Sequence, residues 1–125
     1  ITRDFQELRP EAAIRVIPDR IQGGPYQTSL GSCLTTFLNT HAGAVDRNTT
    51  VIFMGDGDDH RGIPRVEDFQ ALRRRAHKVL WFNPEPEWRW YREDNYMHLI
   101  TPHCDGVHVV STLRELSVAV DRLWR

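Results

Sequence analysis

Thr49 to Gly62 reads TTVIFMGDGDDHRG, an apolar run that stops abruptly at carboxylates and glycines. Val51, Ile52, Phe53 and Met54 are four consecutive apolar residues. Such a run suits a strand covered on both faces of a parallel α/β sheet better than the alternation of a half-exposed strand. Gly55 and Gly57 flank Asp56. Ligands of open α/β sheets collect at the carboxyl ends of strands, where an aspartate between glycines can reach a cation or polar group that bulkier neighbours would block. The same Asp-Gly step is also what a plain turn favours for backbone reasons. Asp56 is thus the leading site candidate, with a turn or capping aspartate as the alternative.

The flanking pattern is helix and strand in alternation. Upstream, Phe5, Leu8, Ala12, Ala13 and Val16 have helical spacing, with Pro10 able to open a second helix and Pro18 expected to end it. After the Gly23-Gly24-Pro25 loop, Thr28 or Ser29 can cap a helix through Leu30, Leu34, Phe37 and Leu38. Downstream, a helix starting near Val66 places Phe69, Leu72 and Ala76 on one face, and His77 to Phe82 reads as a second buried strand. Asn83-Pro84-Glu85-Pro86 breaks it. A polar-aromatic segment with Trp88, Trp90 and Tyr91 leads to a short helix at Tyr96 to Ile100. Val107 to Val110 is a third strand, and Ser111 is expected to cap a last helix carrying Leu113, Leu116, Val120 and Leu123. This alternation predicts parallel strands joined by right-handed crossovers. Three strands leave a poorly protected edge, so the sheet is expected to continue into a partner chain or a missing amino-terminal half.

At 125 residues the chain has the length of one domain, taken here as 1–125. Its 16 basic and 17 acidic side chains give no general attraction to nucleic acid or to an anionic membrane. The only dense basic run, Arg73-Arg74-Arg75, reads as a solvated helix face. Cys33 and Cys104 share no metal or disulfide spacing, which fits a reducing, cytoplasmic setting. No apolar run approaches the roughly 20 residues that span a bilayer. The chain opens at Ile1 without methionine, so a fragment or processed piece is expected.

Several segments together carry a resemblance: Gly23-Gly24, Thr28-Ser29-Leu30-Gly31, Gly55-Asp56-Gly57, Leu72-Arg73-Arg74-Arg75-Ala76-His77 and Trp81-Phe82-Asn83-Pro84. Their order and spacing resemble the von Willebrand factor A domain, and within it the CoxE-like family, over nearly the whole chain. The resemblance implies a three-layer, Rossmann-like α/β sandwich with a mostly parallel sheet, of which this chain is the carboxyl-terminal half. It also implies a metal-ion-dependent adhesion site. There a divalent cation such as Mg²⁺ is held by an Asp-x-Ser-x-Ser loop, a threonine matching Thr28 and an aspartate matching Asp56, with Ser29, Gly55, Gly57 and Asp58 as flanking binding positions. Hydroxyl, carboxylate and water oxygens suit such a cation. The Asp-x-Ser-x-Ser loop occurs nowhere in these residues, Pro25-Tyr26-Gln27 separates the glycines from Thr28, and Gly55 stands where the family usually has serine. The family context further implies a protein partner, either a MoxR-type AAA+ ATPase or a client metalloenzyme under maturation.

Other clusters have plainer readings. Asp58, Asp59 and His60 read as a solvated acidic loop, and His103, Cys104, Asp105 and His108 lack a distant pair to complete a metal centre. Trp88, Trp90 and Tyr91 either mark a protein-binding surface or cover the sheet edge. The function expected is a non-enzymatic binding module. One alternative is a haloacid-dehalogenase-like phosphohydrolase fragment, although its motif would need an aspartate where His60 stands and its nucleophilic Asp-x-Asp-x-Thr is missing. The other is a structural α/β subdomain with a degenerate site.

Overall fold

The computed structural model of the chain describes residues 6, 9–20, 29–58, 64–93 and 95–123. In order these form α1 (Pro10–Arg20), α2 (Leu30–His41), β1 (Thr50–Met54), α3 (Val66–Arg75), β2 (Lys78–Asn83), α4 (Met97–Ile100), β3 (Gly106–Val109) and α5 (Leu113–Leu123). The three strands are adjacent in the order β1-β2-β3 and all parallel, with Ile52 opposite Leu80 and Phe82 opposite His108. This is the parallel α/β arrangement expected from buried strand runs alternating with amphipathic helices.

Side chains alternate between the faces of a strand, and directly paired residues share a face. Val51, Phe53, Val79, Trp81 and Val107 therefore line one face. Against it pack Leu34 of α2, Phe69 and Leu72 of α3, and Met97 and Ile100 of α4. Phe53 sits between Phe69 and Trp81, with ring centroids 5.4 and 5.1 Å away. Full burial of a side chain such as Phe69 or Leu72 contributes about 1.5–3 kcal/mol. On the other face lie Leu80, Phe82 and His108, with Ala119 and Leu123 of α5 beside Leu80 and His108. Helices thus flank the sheet on both sides.

α2 and α3 run side by side in the same direction. A Cβ at Gly31 would lie 3.4 Å from Pro64 Cα, and one turn further on the Thr35 hydroxyl donates to Asp68 Oδ2 at 2.5 Å. Since α3 returns the chain from the end of β1 to the start of the parallel β2, both helices begin at the carboxyl edge of the sheet.

Three expectations need correction. β1 is an edge strand: among the described residues no strand lies beyond it, Val51 and Phe53 are half-buried, and Ile52 and Met54 are 36% and 66% exposed. β2 is the strand buried on both faces, from Val79 to Asn83. Pro18 does not end α1, which runs to Arg20; a proline so near the helix end removes only one ladder bond. Finally, α5 begins at Leu113, so Thr112 and not Ser111 is the cap. Thr112 Oγ1 accepts from the Glu115 amide at 3.2 Å, and Glu115 Oε2 accepts from the Thr112 amide at 3.0 Å and the Ser111 amide at 2.8 Å. The one-residue shift places Glu115 third in the helix and completes a reciprocal capping box. Among the described residues no helix is long and apolar enough to cross a membrane.

Candidate functional site: the loop after β1

The chain leaves β1 as the Gly55 amide still donates to the Phe82 carbonyl at 3.2 Å, and then turns. Its next three carbonyls face the protein. Gly55 O accepts from the Trp81 indole Nε1 at 2.8 Å, and Gly57 O accepts from the Tyr96 amide at 3.2 Å. Asp56 O accepts twice, from Asn83 Nδ2 at 3.0 Å and Asn95 Nδ2 at 2.9 Å. Both asparagines are buried, at 0% and 2% exposure. Each would cost about 1–3 kcal/mol if its amide lost its partner, and none is orphaned: Asn83 Oδ1 accepts from the Glu85 amide and Asn95 Oδ1 from the Met97 amide, both at 2.8 Å.

With its carbonyl held inward, Asp56 keeps its side chain exposed. Asp56 Oδ1 accepts from the Asp58 amide at 3.1 Å, a local turn that fixes the carboxylate's orientation. Asp58 bridges antiparallel to Asn95, and its Oδ1 accepts from Asn95 Nδ2 at 3.0 Å. Gly57 turns at φ 85°, where a Cβ would meet Met97 Cγ at 2.5 Å, so both backbone and packing require glycine. Gly55 has open space where its side chain would be.

Ser29 is the cap of α2: its Oγ accepts from the Ser32 amide at 3.3 Å and donates to Ser32 Oγ at 3.0 Å. It stands at the same carboxyl edge of the sheet as Asp56, as the start of α2 requires. Thr28, Asp59 and His60 lie outside the described residues, so the approach of Thr28 to Asp56 does too. As a fragment of a cation site the described donors are consistent in kind, since Asp56 is an exposed carboxylate pre-oriented at a strand tip. They supply one such ligand, and a hard octahedral cation needs more oxygen donors than that. Among the described residues no group of three or more His, Cys, Asp or Glu is placed to hold a metal ion.

In the cluster of His103, Cys104, Asp105 and His108, the last three make structural contacts. The Asp105 carboxylate accepts from the Val79 amide at 2.8 Å and pairs with Arg73 at 2.6 Å, tying α3 and β2 at the other edge of the sheet. Burial, with the Asp105 charge adding to it, pushes the Cys104 thiol up to about 11, and its Sγ donates to the Ile100 carbonyl. His108 packs edge-on against Phe82. The aromatic segment divides: Trp90 is buried with Nε1 donating to Glu85 O at 2.9 Å, whereas Trp88 and Tyr91 stay exposed, Arg89 lying 5.1 Å over the Trp88 ring.

Sequence reasoning missed Asn95 entirely and valued Asn83 only as half of an Asn-Pro step. The available signal for Asn83 was its place as the last residue of a run buried on both faces, where a polar side chain needs a partner.

A family profile described as "VWA domain containing CoxE-like protein" matches residues 1–116. No curated protein and no solved structure gives a match. The matched span includes the three described strands, the loop that presents Asp56 and the Asn83-Pro84 step that secures it, and the chain belongs to the family of VWA domain containing CoxE-like proteins.

Proposed function

We propose that this chain is a non-enzymatic protein-binding module that engages its partner through the loop after β1. In this reading a divalent cation, Mg²⁺ or a similar ion, joins Asp56 to oxygen donors supplied by Thr28 and by sequence beyond these 125 residues, and its open coordination position takes a carboxylate of the partner. The observation that carries the reading is the Asp56 carboxylate itself: exposed, at the carboxyl edge of a parallel sheet, between the Gly55, Asp56 and Gly57 carbonyls that are turned inward. The partner we favour is an AAA+ ATPase of the MoxR type or a client metalloenzyme in the cytoplasm. The outer edge of β1, unpaired among the described residues and bordered by an apolar groove of about 390 Å³ toward α2, suits a further strand from a second chain or from the rest of the same protein. Family membership favours the binding module over the phosphohydrolase alternative.

Calorimetry with Mg²⁺ or Mn²⁺ on the full-length protein tests this. Wild type is expected to bind and Asp56→Ala to lose binding with a nearly unchanged thermal midpoint, because the carboxylate is exposed and its loss leaves no buried group unpaired. These 125 residues alone are expected to bind Mg²⁺ weakly or not at all. Micromolar binding by this chain alone, or undiminished binding by full-length Asp56→Ala, refutes the reading.

A further inference from the structure

We infer that Asn83 and Asn95 are positioning residues that hold the Asp56 carboxylate ready for its ligand. The inference rests on the binding reading above. It starts from a convergence: two fully buried amides, one ending β2 and one preceding α4, donate to the same oxygen, Asp56 O, at 3.0 and 2.9 Å. Two donors arriving from separate elements fix the orientation of the peptide group that follows Asp56, and with it the direction in which the Asp56 side chain leaves the loop.

Asn95 does more. Its Nδ2 also donates to Asp58 Oδ1 at 3.0 Å, while the Asp58 amide donates to Asp56 Oδ1 at 3.1 Å. Asp56, Asp58 and Asn95 thus form a closed ring of hydrogen bonds in which the carboxylate's own acceptor is one link. The remaining carbonyl of each asparagine is spent on the Glu85 or Met97 amide, so neither side chain can rotate without unpairing a buried group. Removing the partners that orient a metal's ligands typically costs about 10–100-fold in metal affinity.

The test uses full-length protein with Asn83→Ala, Asn95→Ala and Asp56→Ala, read in two ways. ¹⁵N relaxation reports loop order without any ligand: Asp56, Gly57 and Asp58 amides are expected to become mobile in both asparagine variants while Val79 to Phe82 stay rigid. Calorimetry with Mn²⁺ is expected to show about tenfold weaker binding in each asparagine variant and none in Asp56→Ala. Should an alanine variant fail to fold, Asn83→Ser or Asn95→Ser, a smaller change of polarity at the buried position, replaces it. A rigid loop in both asparagine variants, or wild-type Mn²⁺ affinity in both while Asp56→Ala has lost it, overturns the inference and leaves the binding reading standing. Wild-type affinity in Asp56→Ala overturns the binding reading, and the role given to the asparagines falls with it.

Discussion

Gly57 shows how much of the site is decided by single residues. Its φ of 85° lies where an L side chain costs about 1–2 kcal/mol, and a methyl group there would drive into Met97 Cγ and Sδ at 2.5 and 2.8 Å. Met97 is 1% exposed and has little room to retreat. Gly57→Ala is therefore expected to destabilise the protein by about 2–5 kcal/mol, the backbone penalty adding to the overpacking one, as measured by urea unfolding. Gly55→Ala, with open space at its Cβ position and no positive φ, should change stability far less. Equal losses in the two variants would mean that the loop does not adopt this conformation.

At the scale of elements, two exposed carboxylates secure the ends of elements and should make stability acid-sensitive. Bonds from the Ser111 hydroxyl and amide hold Glu115 below its ordinary value of 4.5, and the Asn48 amide followed by the Thr49 hydroxyl holds Asp46 below 3.8 at the entrance to β1. A carboxylate whose folded pKa is depressed contributes stability above its unfolded pKa and loses it as pH falls through the folded one. The thermal midpoint should thus fall as pH drops below about 4.5. Glu115→Gln should lower the midpoint at neutral pH and flatten its acid limb, a change that scanning calorimetry across pH 3–7 would reveal. An acid limb identical to wild type would remove Glu115 from the account.

At the scale of the whole molecule the decisive feature is the outer edge of β1, against which no strand pairs among the described residues. In a parallel pair alternate residues bond to the neighbouring strand. The Gly55 amide donates to Phe82 O and Thr49 O accepts from the His77 amide, so the odd-numbered residues face β2 and the Thr50, Ile52 and Met54 amides point outward. In this chain alone, hydrogen exchange should be fast at Ile52 and Met54 and slow at Val51 and Phe53. Covering the edge with another strand should slow the first pair selectively. Protection of all four in the isolated chain would place an unrecognised strand against β1. No charge or proline protects this edge between Thr50 and Met54, the opposite of how exposed edges are usually defended.

The sequence by itself determined the elements and their order. Consecutive apolar residues marked Val79 to Phe82 as a buried strand, the spacing of Phe69, Leu72 and Ala76 marked one buried helix face, and alternation marked the sheet as parallel, because these signals are local and repeat with the period of the element. Asp56 was legible for the same reason, as a carboxylate between glycines at a strand end. Only the tertiary structure decided that Ile52 and Met54 lie on an open edge while the equally apolar β2 is enclosed, since edge or centre is a matter of which strands pair, not of any strand's composition. Only it showed that Asn83 and Asn95, 27 and 39 positions from Asp56, converge on one carbonyl oxygen. A buried amide's partner is chosen by the fold's long-range closure, and no local pattern in the chain encodes that meeting.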